Sequence, residues 1–206
     1  MIDEPITADS SAERIHWGPG TGIAITVWAA LGLAAAFTLA YDKVQILIDP
    51  TFEPGCNFNP VLACGSVMVT DQASAFGFPN PFLGLIGFSV MLTVGVLLAS
   101  GTVLPRWVMA GAALGTLAGA VFIHWLAFES LYRIGALCPW CMVVWAITLP
   151  MALWFLLKVA DLFGAPAVQR VAAAVWSWRF TIVALWYLGV LLLILIRFWD
   201  YWSTLI

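Results

Sequence analysis

The sequence has few charged residues. Asp, Glu, Lys and Arg make up 9% of its 206 residues, against roughly 25% in soluble domains, while 63% of the residues are hydrophobic. Such a chain cannot cover a water-soluble surface, so it is an integral membrane protein with room for a few spans and no sizeable soluble domain. The net charge of −3 is small and dispersed, which argues against nucleic acid as a partner.

Five apolar runs are long enough to cross a bilayer. We predict spans at about residues 21–41, 82–99, 107–128, 138–157 and 180–198. The predicted fold class is therefore an all-α integral membrane protein with five transmembrane helices. Residues 1–20 form a polar, acidic tail without the basic n-region of a signal peptide, so no cleavage is expected.

The cysteines occur as two separated pairs. Cys56 and Cys64 lie in the predicted loop at residues 42–81, which Pro and Gly interrupt often. Cys138 and Cys141 open the fourth span as Cys-Pro-Trp-Cys. The N–H groups and the positive dipole end at a helix start favour thiolates, and this spacing lets the two sulfurs close and reopen a disulfide. Two dithiols of this kind suit thiol–disulfide exchange.

The charges suggest an orientation for the five spans. With the N-terminus inside, five cations are cytoplasmic and three are outside, which is a modest positive-inside bias. The first set is Arg14, Arg106, Lys158, Arg170 and Arg179, and the second is Lys43, Arg133 and Arg197. Residues 1–20 are then a cytoplasmic tail. The loop at residues 42–81 and the start of the fourth span share the extracytoplasmic face, so all four cysteines meet at one membrane surface.

The electrons of the second dithiol need an acceptor. The sequence shows no flavin, haem or nucleotide fingerprint. An acceptor dissolved in the lipid is therefore the natural candidate, and a quinone accepts the two electrons that a dithiol releases.

The motifs resemble those of the vitamin K epoxide reductase family, and of its bacterial members in particular, along nearly the whole chain. The matching segments are Cys56-x7-Cys64, Cys64-Gly-Ser-Val-Met, Phe78-Pro-Asn-Pro-Phe-Leu-Gly84, Tyr132-Arg-Ile-Gly-Ala-Leu-Cys138 and Cys138-Pro-Trp-Cys141. The resemblance implies that four of the helices form a bundle around a quinone. It also implies a bacterial cell membrane, with the active site on the extracytoplasmic face.

The same resemblance implies a role for each cysteine. Cys56 would accept electrons from a DsbA-like thioredoxin-fold protein, Cys64 would pass them on by attacking the pair at Cys138, and Cys141 would face the quinone. Bacterial members reoxidise the enzyme that installs disulfides in exported proteins. Menaquinone is expected ahead of ubiquinone. The partner is expected to be a separate chain, because no thioredoxin-like domain follows the fifth span, and no metal is expected.

Four further residues are candidate quinone contacts. Asn80 matches the asparagine with which the family binds a quinone oxygen, although it could equally be a helix cap before Pro81. Thr70 falls where a hydroxyl residue is usual in the family. Trp145 stands where human members have a tyrosine, and its indole N–H can donate a hydrogen bond but not accept one. His124, inside the third span, is a candidate for the pocket or for proton delivery, or a neutral histidine bonded across helices.

Other interpretations remain open at this point. The protein could be a non-enzymatic membrane subunit, with a static Cys56–Cys64 disulfide or with cysteines that bind zinc. Glu129 and Arg133, spaced i,i+4, are interpreted as a solvated ion pair at a helix end. Glycines at residues 111, 115 and 119 have the small-xxx-small spacing that lets a partner helix approach, which predicts a helix-packing seam.

Overall fold

In a computed structural model, which describes residues 17–204, the chain is almost entirely helical. The α-helices in this part of the chain are α1 (Pro19–Ile48), α2 (Cys64–Met68), α3 (Pro81–Ala99), α4 (Arg106–Glu129), α5 (Pro139–Phe163), α6 (Pro166–Ser177), α7 (Arg179–Arg197) and α8 (Trp199–Trp202). A 3₁₀ turn covers Asp71–Ser74, and a π-helical turn, Ser130–Ile134, continues α4. Nearly all of the predicted tail, residues 1–20, lies outside the described residues.

The predicted fold class is confirmed. Five helices, α1, α3, α4 with its π-helical turn, α5 and α7, are long and apolar enough to cross a membrane. Helix α1 packs against both α3 and α5, and α4 packs against α5, so these four helices form a bundle. Helix α7 lies outside it against α5, and exposes leucines along most of its length.

Proline sets where several of these helices begin. Helices α1, α3, α5 and α6 each have a proline in the first turn, where its missing N–H is not needed and its fixed φ suits the helix. In α5 this proline is Pro139, so the helix starts directly after Cys138. The first cysteine of the Cys-Pro-Trp-Cys motif is therefore the N-cap residue, and the second lies inside the first turn.

Helix α1 is longer than the predicted first span. It runs through Asp42 and Lys43 and ends at Ile48. The sequence suggested an end near residue 41 because two charges follow, yet these two side chains are only 7% and 8% exposed. The charges are thus buried at the end of the bundle that carries the cysteines, and they do not end the helix. Helix α5 likewise continues past the predicted residue 157, to Phe163.

The tightest glycine contacts between helices lie between α1 and α3, and the predicted glycine seam in α4 is wrong at two of its three positions. A Cβ added at Gly22 would meet the backbone of Ala99, and one at Gly95 would lie 2.7 Å from the backbone N of Thr26. At Gly111 and Gly115 an added Cβ would meet nothing within 4 Å, whereas at Gly119 it would lie 3.5 Å from Cγ2 of Thr148 in α5. The α4 glycines instead line a cavity between α4 and the rest of the bundle.

These two glycine environments predict opposite effects of the same substitution. Gly95→Ala should lower stability, because overpacking of a tight contact costs about 1–3 kcal/mol. Gly111→Ala, with open space around it, should keep or slightly raise stability, since Ala is preferred to Gly within a helix by about 1 kcal/mol. Thermal unfolding of the two variants in detergent measures the difference. Equal melting temperatures would contradict the close approach of α1 and α3.

Candidate active site

A short backbone pairing joins the two segments that carry cysteines. The N–H of Leu137 donates to the carbonyl oxygen of Val61 at 2.7 Å, and the N–H of Ala63 donates to the carbonyl oxygen of Leu137 at 2.9 Å. These bonds form an isolated parallel bridge between Leu62 and Leu137. Cys64 follows directly after Ala63, and Cys138 directly after Leu137. The pairing therefore places the two cysteines side by side, although 74 positions separate them in the chain.

The four cysteines lie at one end of the helical bundle. Cys56 and Cys64 form a disulfide, whereas Cys138 and Cys141 are free thiols. The Sγ atom of Cys138 lies 3.2 Å from the Sγ atom of Cys64. Cys56, Cys64 and Cys138 are all buried, in a cluster with Leu39 and Met68. The sulfurs of the two pairs are thus in direct contact and shielded from solvent.

The surroundings of Cys138 favour its thiolate. Its side chain accepts a hydrogen bond from the backbone N–H of Cys141 at 3.4 Å, as an N-cap residue does. The hydrogen bond from the Cys141 thiol lowers the pKa of Cys138 most, and the backbone N–H groups of Cys141 and Trp140 lower it further. Burial and the nearby negative charge of Asp42 oppose these effects, but the pKa stays below its ordinary value. Cys138 is therefore suited to act as a nucleophile.

A cavity of about 690 Å³ lies within the bundle and reaches this end. Cys141, Asn80 and Trp145 all line it, as the candidate roles of these residues require. The other polar residues of its lining are Lys43, Gln72, Thr116, Ser130 and Thr148. Along α4 the lining extends from Trp107 to Leu126, about 28 Å at 1.5 Å per residue. The cavity is thus long and mainly apolar, with its free thiol near one end.

Asn80 precedes α3 without capping it through its side chain. Its Nδ2 donates to the carbonyl oxygen of Gln72 at 2.6 Å, and its Oδ1 accepts from the backbone N–H of Ala75 at 3.0 Å. Both bonds run back to the loop and fix the amide at the edge of the cavity. An amide nitrogen has two N–H groups, so one donor remains after the bond to Gln72.

His124 and Thr70 lie elsewhere. His124 is on the other side of α4, in a smaller groove of about 310 Å³ that it lines with Trp186 and Trp145. The indole N–H of Trp186 donates to its Nε2 at 2.9 Å, so Nδ1 carries the proton and donates to the carbonyl oxygen of Ala120 at 2.6 Å. Thr70 donates its hydroxyl to the carbonyl oxygen of Val67 at 2.8 Å. Neither residue lines the large cavity.

The interpretation of Glu129 as a solvated residue is wrong. Glu129 is 3% exposed, although its partner Arg133 is largely exposed and lies 3.5 Å from it. Its other carboxylate oxygen accepts a hydrogen bond from the side chain of Gln72 at 3.2 Å. Because Gln72 also binds Asn80, this network connects α4 to the loop at the edge of the cavity.

Sequence reasoning missed Lys43 and Gln72 as residues of this site. The charge pattern places Lys43 only among the extracytoplasmic cations. A signal was present, because Ala36, Leu39 and Lys43 follow one another at helical i, i+3, i+7 spacing and all line the cavity. Gln72 offered no such signal, since it lies in a 3₁₀ turn whose position depends on the fold of the loop.

The site can be compared with known proteins. The family model described as "Vitamin K epoxide reductase family" matches residues 23–156. The matched part contains all four cysteines, Asn80, Trp145 and most of the four-helix bundle. A search of curated proteins finds no match to the chain. With more than half of its length matched, including the whole cysteine site, the chain belongs to the vitamin K epoxide reductase family.

Proposed function

We propose that the protein is a quinone-dependent thiol oxidase of a bacterial cell membrane. It takes electrons from a DsbA-like thioredoxin-fold protein and passes them through its two cysteine pairs to a membrane quinone, which supports disulfide formation in exported proteins. The contact of 3.2 Å between the Sγ atoms of Cys64 and Cys138 carries this proposal, because exchange requires sulfurs of the two pairs to meet. Family membership supports an oxidoreductase more generally.

The first exchange occurs at the loop pair. A thiolate of the partner attacks Cys56, the Cys56–Cys64 bond breaks, and Cys64 leaves as a thiolate. Cys64 then attacks Cys138 in the oxidised Cys138–Cys141 pair, which forms a Cys64–Cys138 disulfide and releases Cys141. The partner's second thiol displaces Cys56, and the partner leaves oxidised. Each attack forms one S–S bond and breaks another, so the two electrons move inward without an outside oxidant.

The second exchange restores the loop. Cys56 attacks Cys64, the Cys56–Cys64 disulfide forms again, and Cys138 is released as a thiolate. A thiolate that is favoured at Cys138 makes it a good leaving group in this step. The result is a joined loop pair and two free thiols at Cys138 and Cys141, the pairing found in the structure. These thiols then give up two electrons and two protons and close their own disulfide.

The cavity fits a quinone as the acceptor. A quinone combines a flat apolar ring, two carbonyl oxygens and an apolar tail, and when bound it accepts two electrons and two protons. The lining along α4 is apolar except for Thr116, while Cys141 and Asn80 lie at the end that carries the cysteines. Asn80 would donate a hydrogen bond to a carbonyl oxygen, and Trp145 is a second candidate donor in the lining. Similarity to bacterial members favours menaquinone over ubiquinone.

The charges of the chain support one orientation of the helical bundle in the membrane. Placing the cysteine end outside leaves more Lys and Arg residues on the cytoplasmic side, as the positive-inside rule requires. A partner that carries thiols from exported proteins would meet the loop on this face. Cys56, which is 4% exposed, must become accessible when the partner docks, because a thiol held on a folded protein cannot reach a buried sulfur as a small molecule can.

A non-enzymatic subunit with bound zinc or a static disulfide is the competing function. Zinc coordination by all four cysteines conflicts with the Cys56–Cys64 disulfide, since zinc binds thiolates. A static brace would not require Cys138 to touch Cys64, nor a thiolate to be favoured there. Exchange therefore accounts for more of the site.

Two cysteine variants separate the proposed roles. With purified protein, a quinone and a reduced DsbA-like partner, Cys141→Ser should abolish quinone reduction, followed by absorbance, with any thiol donor. Cys56→Ser should abolish it with the protein donor but retain it with a small dithiol that reaches Cys138 directly. Equal loss with both donors would refute the role of Cys56. The number of free thiols in the wild-type protein, with and without quinone, can be read by mass spectrometry after alkylation. If quinone does not change this number, the non-enzymatic subunit is favoured.

The contact between the pairs predicts a trapped disulfide. The double variant Cys56→Ser, Cys141→Ser retains only Cys64 and Cys138, whose sulfurs already touch, so mild oxidation should join them rapidly. The matched variant Cys56→Ser, Cys138→Ser retains Cys64 and Cys141 and should close more slowly. Peptide mass spectrometry without reductant identifies the bonds. Similar rates in the two variants would show that the contact does not direct exchange.

The hydrogen bond from Cys141 predicts a shift in the reactivity of Cys138. Because the pKa of Cys138 is lowered, its thiolate should persist to lower pH than an ordinary thiolate does. Cys141→Ala removes the largest cause, so the pKa should rise and the midpoint of the pH–reactivity curve should move to higher pH. The alkylation rate of Cys138 with a small thiosulfonate measures both midpoints. An unchanged midpoint would contradict the proposed donor.

A further inference from the structure

Lys43 lies at the boundary between the cysteine cluster and the cavity. It is 8% exposed and lines the cavity together with Cys141 and Asn80. Leu39, one turn earlier on α1, packs in the cysteine cluster, which also contacts Cys141. Among the described residues that line the cavity, Lys43 is the one charged side chain. A positive charge is therefore held at the end of the cavity from which the electrons would arrive.

The ammonium group of Lys43 has unused hydrogen-bonding capacity. It donates to the carbonyl oxygen of Met68 at 2.6 Å, and this is its one side-chain hydrogen bond within residues 17–204. In the same part of the chain no carboxylate lies within 4.0 Å of it. An ammonium has three N–H donors, so two remain. Burying a cation with neither a counter-ion nor a full set of acceptors is costly, which points to a ligand that completes the set.

We propose that Lys43 binds the electron acceptor through a carbonyl oxygen and stabilises the negative charge that develops there. This inference rests on the proposed function, since it assigns a residue to the quinone of the same cavity. The electrons and both protons still come from the thiols of Cys138 and Cys141, which become a disulfide. Lys43 supplies hydrogen bonds and charge, and it is not consumed. A fixed positive charge stabilises a developing negative charge most strongly where the dielectric constant is low, as in a buried site.

A purely structural role for Lys43 makes a different prediction. Met68 ends α2, the helix that begins at Cys64. The bond from Lys43 to Met68 could therefore serve only to hold α2 in place, and so to keep Cys64 against Cys138. Loss of such a clamp would slow exchange between the two cysteine pairs in the absence of any quinone. Loss of a quinone contact would leave that exchange intact.

The test compares three substitutions by two readouts. Lys43→Met removes the charge and the donors, Lys43→Gln keeps a donor without the charge, and Lys43→Arg keeps both. The first readout is the Kd for a menaquinone analogue with one isoprene unit, measured by equilibrium dialysis in detergent. The second is the rate at which a reduced loop pair reduces the Cys138–Cys141 disulfide without quinone, measured by thiol trapping and mass spectrometry.

We expect Lys43→Met to weaken quinone binding by about 10- to 100-fold, the effect of losing a hydrogen bond from a charged donor, with unchanged exchange between the cysteine pairs. Lys43→Arg should bind nearly as the wild type does, and Lys43→Gln should fall between. If Lys43→Met does not fold, Lys43→Gln against Lys43→Arg provides the same comparison.

The outcomes are distinguishable. Slowed exchange with unchanged quinone affinity would assign Lys43 to the clamp and overturn the inference. Wild-type affinity in both Lys43→Met and Lys43→Gln would also overturn it, while leaving the proposed function intact. A wild-type protein that does not bind the quinone analogue at all would refute the proposed function itself, and the role of Lys43 with it.

Discussion

Two backbone hydrogen bonds determine the geometry of the cysteine site. Leu137 exchanges them with Val61 and Ala63, and each of the two cysteines that touch is the next residue along its chain segment. No side chain outside the pairs is needed to bring the sulfurs together. The bridge is buried, with Leu137 fully inaccessible, so water does not compete for these bonds. A long Pro- and Gly-interrupted loop is thereby given one defined position relative to the start of α5.

Cys138 has a different partner on each side. Cys64 contacts it from the loop, while the thiol and N–H of Cys141 donate to it from the first turn of α5. Cys141 in turn lines the apolar cavity. The disulfide and the thiol of Cys141 thus lie on opposite sides of Cys138, within one turn of the start of α5. On the proposed function, this arrangement lets electrons enter the membrane without a channel for water or for the partner protein.

The sequence was sufficient for the spans and for the grouping of the cysteines, but not for the neighbours of its polar residues. Hydropathy locates segments that prefer lipid, and the Cys-Pro-Trp-Cys motif marks its own helix start. Hydropathy cannot tell whether Asp42, Lys43 or Glu129 meets water or another part of the chain, and all three are buried. Spacing alone likewise cannot tell whether Gly111 faces a helix or a cavity. For Lys43 and Glu129 the outcome depends on where the loop packs, and for Gly111 it depends on how α4 lies against the rest of the bundle.

Lys43 and Glu129 were not recognised as buried residues for the same physical reason. Lys43 donates to Met68 at the end of α2, and Glu129 bonds through Gln72 to the segment that holds Asn80, so both residues lie where the loop meets the bundle. The loop thus packs over one end of the bundle, and Gln72 and Asn80 from the loop and Lys43 from α1 line that end of the cavity. A ligand with polar oxygens at one end and an apolar tail would have a single favourable orientation there, with its oxygens beside Cys141. The polar contacts at this end would thereby place the acceptor next to Cys141, while the Leu137 bridge separately holds the two cysteine pairs together.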